Sequence, residues 1–269
     1  MSRPIERILM TGAAGGLGRA MRERLKGQFR LLRLSDITPM APAGEGEEVV
    51  VADLADAAAV EALCRDVDAV IHFGGKSTEA DWPEILQPNI VGAINLWEGA
   101  RKHGVDRVLF ASSNHAIGLY RRAQRIDHNA NPRPDGRYGL SKAFGEDLAA
   151  LYAYKWGIRG FCMRIGTCFP EPMNARALSS WMSYADMERM LKVGLTADYV
   201  YEIVYGVSDN PRSWWDNGNA ERLGYDPQDS AEAYAERFER AVSNDPIEEA
   251  FQGGSFVSRE FVGDPSRIP

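Results

Sequence analysis

The chain has 269 residues, of which 45% are hydrophobic and 26% charged, and it carries a formal net charge of −7. That suits one large α/β domain, or a nucleotide-binding domain with a small substrate lobe, and the acidic balance argues against nucleic acid or another polyanion as partner. No apolar run approaches the roughly 18 residues of a membrane span, no signal-peptide core opens the chain, and three cysteines (Cys64, Cys162, Cys168) lack metal-ligand spacing, so a reducing cytoplasm and no metal site are expected.

Residues 7–11 form an apolar run of strand type. Gly12, Gly15 and Gly18 follow at the spacing G-x-x-G-x-x-G, with Ala14, Gly16 and Leu17 between them. Residues 19–28 then read as a helix with Ala20, Met21 and Leu25 on one face. Strand, glycine turn and helix make the first unit of a dinucleotide-binding sheet. Gly12 permits the tight turn, Gly15 lets the backbone approach a pyrophosphate, and Gly18 lets the helix pack closely on the strand. The helix N-terminus offers free N–H groups to the phosphates.

A second strand over 30–34 ends at Ser35-Asp36. An acidic residue there accepts hydrogen bonds from both hydroxyls of an adenosine ribose and repels a 2′-phosphate. Ile37 and Thr38 offer that phosphate no base, so NAD is expected over NADP. A Pro/Gly loop over 39–46 leads to a strand over 48–52 that ends at Asp53-Leu54. This pair suits the adenine edge, although Asp53 could equally cap the helix that starts near Asp56. The strand over 69–73 runs into Gly74-Gly75, where close backbone approach to the cofactor is expected. Residues 82–103 form a long helical stretch that contains Asn89 and that Pro88 is expected to kink. Asn89 and, at the end of a later strand, Ile165 complete the expected cofactor contacts.

The strand over 107–111 is followed by Ser112-Ser113-Asn114-His115. The alternation of strand and helix predicts a Rossmann-type, doubly wound parallel α/β sheet with ligands beyond the carboxyl ends of its strands. After Ile158 come a strand over 160–165, an irregular stretch over 169–176, a helix near 184–193, a short strand over 201–205 and a C-terminal helix near 231–242. Residues 1–165 are expected to bind the dinucleotide and residues 166–269 to supply mainly a small substrate lobe, the two forming one compact unit.

Tyr138 and Lys142 stand at i and i+4, one above the other on a helix. A phenol titrates at about 10 in water, and an ammonium one turn away, with the positive ring of an oxidised nicotinamide, favours its phenolate. Such a tyrosine can take a proton from an alcohol while hydride leaves the carbon. Lys142 could also bond the nicotinamide ribose. Ser113 is the third candidate, bonding the reacting oxygen; Ser112 competes, but strand alternation points it to the opposite face.

Together these features resemble the extended short-chain dehydrogenase/reductase superfamily over essentially the whole chain. More narrowly, the stretches FASSNHAIG (110–118), RPDGRYGLSK (133–142), RIGTC (164–168), SWWDN (213–217) and FQGGSFV (251–257) are similar to the uronate dehydrogenase family. The resemblance implies NAD-dependent oxidation of the C1 hydroxyl of a cyclic hexuronate, glucuronate or galacturonate, to an aldarolactone. It makes Tyr138 the general base, Lys142 its partner and Ser113 the holder of the C1 oxygen. Ser77, Asn114, His115 and Thr167 would line the sugar site, and Arg176 would grip the C6 carboxylate. A guanidinium suits that task independently, because it can take both carboxylate oxygens at once. Thr167 stands where the family usually has serine, and Lys76 where it has an apolar residue. The resemblance also implies a homo-oligomer, with 82–103 and 139–156 as candidate interface helices. A nucleotide-sugar epimerase or reductase would need a larger C-terminal lobe, and a non-catalytic NAD sensor would have no use for the Tyr/Lys pair.

Overall fold

A computed structural model describes residues 4–238, 241 and 243–269. The strands are β1 (Arg7–Thr11), β2 (Leu31–Asp36), β3 (Glu47–Val51), β4 (Ala69–His72), β5 (Arg107–Ser113), β6 (Arg159–Ile165), β7 (Thr167–Cys168), β8 (Trp181–Met182) and β9 (Tyr201–Gly206). Seven of them form one sheet in the order β3-β2-β1-β4-β5-β6-β9, every pair parallel, while β7 and β8 make a separate short ribbon. The expected doubly wound sheet is therefore present. The chain steps outward from β1 through β2 to β3, then returns past β1 to begin β4, and this reversal leaves a crevice at the carboxyl ends.

The layers follow from strand alternation. Ile8 and Met10 point to one face, where they pack with Met21 and Leu25 of α1 (Gly16–Leu25). Leu9 points to the other, where it meets Val60 and Leu63 of α2 (Ala57–Leu63). The central strands β4 and β5 are buried along their whole length, as a parallel sheet covered on both faces requires.

The stretch 82–103 is three windings in series: α3 (Trp82–Ile85), a π-helical turn (Leu86–Val91) and α4 (Gly92–Lys102). Pro88, which has no N–H to donate, sits in the wide turn, so the expected kink takes the form of a change of pitch. On the α2 face α4 is followed by α5 (Arg137–Trp156). Beyond β6, α6 (Ala177–Ser180) precedes β8, and α7 (Tyr184–Thr196) packs on the α1 side. Thus the segment after residue 165 adds α7, β9 and α8 (Gly218–Arg222), whose Ala220 joins the α1-side core, to the layers, while α9 (Pro246–Ala250) and α10 (Ser255–Ser258) contribute residues to the crevice at the strand ends. The helix expected near 231–242 is a 3₁₀ helix over Ala231–Phe238, with Ala231, Tyr234, Ala235 and Phe238 packed on Ala177, Leu178 and Trp181; residues 239, 240 and 242 lie outside the described residues. No helix among the described residues is long and apolar enough to cross a membrane.

Candidate active site

A cleft of about 940 Å³ runs along the carboxyl ends of the central strands. Its nucleotide half is largely backbone. Gly12 has φ +70°, and a Cβ there would stand 2.6 Å from the Gly74 nitrogen, so two strand-end turns abut without side chains. A Cβ at Gly18 would overlap the Gly12 carbonyl oxygen. Gly15, Gly16, Leu17 and Gly18 line the cleft, and Gly15 begins α1 without a side-chain cap. Asp36 also lines it; its carboxylate accepts from the Ala14 N–H (3.0 Å) and the Thr38 N–H (2.9 Å), which fixes its orientation. Leu54, Gly74, Gly75 and Ile165 complete this half.

Three expected cofactor residues stand off the cleft lining. Ala14 directs its N–H to Asp36. Asp53 accepts from the Ala55 N–H (2.9 Å), and Asp56, not Asp53, caps α2. Asn89 is buried in the π turn, where its oxygen accepts from the Lys76 N–H (2.7 Å) and its nitrogen donates to the Lys76 carbonyl (3.0 Å) and the Ser141 hydroxyl (2.9 Å). It ties the Gly74–Ser77 loop to α5. Lys76 itself pairs with Glu84 at 2.6 Å, so its charge is not free.

Tyr138 and Lys142 lie in the first turns of α5, both buried. That helix begins at Gly136 with no side-chain cap of its own. Glu79 supplies one from 58 residues away: its carboxylate accepts from the Arg137 and Tyr138 N–H groups at 3.0 and 2.9 Å. Burial lowers the Lys142 ammonium to about 8, and the group donates to the Ala111 carbonyl at 2.8 Å. Burial raises the Tyr138 hydroxyl to about 12; a hydrogen bond with Ser113 opposes the rise and the Asp135 charge adds to it. The free chain, without the oxidised cofactor, therefore holds this hydroxyl above its ordinary value, because desolvation outweighs the Ser113 hydrogen bond.

The two serines divide as strand alternation requires. Ser113 faces Tyr138, whereas Ser112 donates to Glu146 at 2.6 Å on the far side of β5. There Glu146 is held by two bonds of 2.9 Å from Arg164.

The other half, where the sugar is expected, is built from side chains. Arg176 is half-buried and donates from Nε to the Gln252 carbonyl at 2.7 Å. With the Asn114 oxygen facing it, Arg176 Nη2 donates to Asn114 at 2.6 Å while the Asn114 nitrogen donates to the Ile165 carbonyl at 3.0 Å. Thr167 Oγ1 lies 3.5 Å from Arg176 Nη1 and 3.0 Å from Ser180 Oγ. Burial draws the Arg176 guanidinium down to about 10, which leaves it charged near neutrality. His115 is bonded to Asp135 (2.7 Å) and stacked on Phe256 (3.8 Å between ring centroids), with the Tyr138 ring edge-on at 5.8 Å. Ser77, Asn114, His115, Thr167 and Arg176 all line the same cleft as Tyr138.

Sequence reasoning missed several members of this wall: Asp135, Glu79, Phe256, Ser255, Asn174 and Glu248. The segment FQGGSFV carried the available signal. Its Gln252 holds Arg176, its Gly254 (φ +64°) packs against the Arg176 side chain, and its Phe256 stacks on His115.

The sheet, the glycine turn and the buried Tyr–Lys pair define a Rossmann-type, nucleotide-dependent oxidoreductase. The chain belongs to the NAD dependent epimerase/dehydratase family, which it matches over residues 8–240. It is 53% identical to a uronate dehydrogenase of Pseudomonas putida, over 94% of this chain and 96% of that one. Two solved structures are similar throughout. A mutant of uronate dehydrogenase from Agrobacterium tumefaciens complexed with NAD gives a TM-score of 0.90 at 46% identity, covering 94% of this chain and 97% of that one. A glucuronic acid dehydrogenase from Chromohalobacter salexigens gives 0.91 at 48%, covering 98% and 99%.

Proposed function

We propose that this chain oxidises the C1 hydroxyl of cyclic hexuronates, D-glucuronate and D-galacturonate, to aldarolactones with NAD. The observation that carries the proposal is a guanidinium, Arg176, fixed in the same cleft as the Tyr138–Lys142 pair. The residues fit the cofactor. Side-chain-free turns at Gly12, Gly15, Gly16 and Gly18 leave room for a pyrophosphate, with Leu17 beside them, and Asp36 faces the cleft as a carboxylate for the adenosine ribose. Leu54 would meet the adenine, and Gly74, Gly75 and Ile165 the nicotinamide end. Bound NAD supplies the hydride acceptor.

The chain's own residues supply orientation and proton transfer. Arg176 keeps Nη hydrogens for a carboxylate, because among the described residues its Nε donates to Gln252, one Nη2 hydrogen to Asn114 and Nη1 only at 3.5 Å to Thr167. Ser113 holds the C1 oxygen beside Tyr138, which removes the hydroxyl proton. The phenol is protonated in the free chain. It gains phenolate character only as positive charge gathers beside it, from Lys142 and the oxidised cofactor. Ser77, Asn114, His115 and Thr167 contact the sugar hydroxyls and hold C1 in a reactive pose.

The enzyme would work in the cytoplasm in hexuronate catabolism, as a homo-oligomer. Exposed Leu140, Leu151 and Tyr154 on α5, with Leu86 and Ile94 on the neighbouring helical stretch, give it an apolar contact face. The test is NADH formation at 340 nm with each uronate, using glucose and NADP as controls. Uronate-dependent absorbance with NAD alone is expected. Silence on both uronates, with turnover of a nucleotide sugar, would overturn the proposal.

A further inference from the structure

The Asp135 side chain is fully buried, and its Oδ1 has no hydrogen-bond partner among the described residues. A buried carboxylate oxygen left unpaired is costly, so its retention calls for a reason. The surroundings are shaped to admit it. A Cβ at Gly118 or at Gly253 would overlap the carboxylate, and one at Gly139 would come within 3.1 Å of Oδ1. Three separate segments therefore leave out a side chain at this point. Oδ2 has one hydrogen-bonded partner, Nδ1 of His115, at 2.7 Å. The two residues are also joined through the main chain, where the Asp135 N–H donates to the His115 carbonyl at 3.2 Å.

The imidazole is thus fixed on several sides. Asp135 holds one ring nitrogen, Phe256 covers one face at 3.8 Å, and Tyr138 stands edge-on. His115 lines the cleft, and its Nε2 has no protein partner among the described residues. A carboxylate can only accept, so the proton of the shared bond sits on Nδ1.

We propose that Asp135 is a positioning residue for substrate binding: it keeps His115 Nδ1 protonated and its ring plane fixed, and so presents Nε2 to a sugar hydroxyl. This rests on the reading of His115 as a sugar contact. A histidine free to turn or to exchange tautomers would offer the sugar the wrong atom part of the time. Asp135 would therefore act on KM for the uronate and leave cofactor binding alone. Asp135 also supports the charge of Arg176 and adds to the upward shift of Tyr138, which gives two further routes by which its loss could be felt, the first in binding of the carboxylate and the second in kcat.

A double-mutant cycle separates these routes. Asp135→Asn should raise KM for glucuronate about tenfold, the loss of one charge-assisted bond, with kcat and NAD affinity changed less than about threefold. In a His115→Ala background the same change should add less than about twofold. Full additivity, confined to uronates and absent with glucose, would place the effect on Arg176 and overturn the proposal. An unchanged KM in Asp135→Asn, with a raised KM in His115→Ala, would also overturn it while sparing the role of His115. Normal kinetics in His115→Ala would remove the sugar contact itself, and the proposal with it. A measurement on the unaltered chain guards against variants that fail to fold. Ring ¹⁵N shifts of its 4 histidines should show His115 with Nδ1 protonated, and a bare Nδ1 with hydrogen on Nε2 would overturn the proposal.

Discussion

The two halves of the cleft are built on opposite plans. The nucleotide half is a surface of main chain made possible by missing side chains, and Asp36 is the chief polar group it adds. The sugar half is a set of side chains, each held by a partner from a distant segment: Arg176 by Gln252, His115 by Asp135, Asn114 by Ile165, Thr167 by Ser180. A backbone surface is generic, because any dinucleotide presents the same pyrophosphate to it. A network of buried polar side chains is specific, because a ligand that leaves one member unpaired loses the desolvation already incurred. The first plan should fail when an atom is added, and the second when a charge is removed.

The largest effect is expected where the halves meet. Tyr138→Phe should cut turnover by about a thousandfold, the range of a lost general base, with NAD affinity nearly unchanged in a fluorescence titration. Near-normal turnover would take Tyr138 out of the base role. Next comes the sugar half: Arg176→Ala should lower kcat/KM for glucuronate by about a hundredfold and leave whatever rate is measured with glucose almost as it was. Equal losses on both sugars would mean that Arg176 supports the fold of the wall and not the carboxylate. The nucleotide half should respond to an added carbon. Gly18→Ala drives a methyl group into the Gly12 carbonyl oxygen, and about 1–3 kcal/mol of stability should go with it, together with NAD affinity. A variant with unchanged melting temperature and NAD affinity would show that this close packing is dispensable.

The same contrast governs what could be read in the sequence. The nucleotide half was legible because its signals are local. An apolar strand, a glycine turn and a helix lie within 7–25, and Asp36 ends the next strand. Tyr138 and Lys142 were legible for the same reason, one helical turn apart. Glu79 was not, because nothing near it announces that it caps a helix beginning at Arg137. Nor was Asp135, whose meaning depends on glycines at 118 and 253 brought together by folding. The upward shift of Tyr138 in the free chain was not legible either: adjacent charge can be counted along a helix, but burial cannot. Pro88 announced a disturbance without saying that a wide turn would absorb it and aim Asn89 at the Lys76 main chain.

One buried residue behind the cleft gives the last expected effect, one seen only as a change with pH. His72 ends β4 with its Nδ1 2.7 Å from the Thr11 hydroxyl, on the nucleotide side, and its ring stacked on Phe110 at 5.7 Å. Burial, and next the charge of Lys142, push it down to about 3. Its folded value lies below the unfolded one of about 6.5, so its contribution to stability is complete above that pH. It declines as pH falls from 6.5 toward 3, because the unfolded chain takes a proton that the folded chain refuses. The loss amounts to about 1.4 kcal/mol per pH unit. Carboxylates titrate in the same range, so the effect must be read as a difference. His72→Gln can keep a bond to Thr11 and does not ionise. Urea unfolding of both proteins at pH 7, 6 and 5 should show the stability difference shifting toward the variant by about 2 kcal/mol. If the difference stays constant, the folded protein accepts the proton on His72, and burial beside Thr11 and Phe110 does not keep the ring neutral.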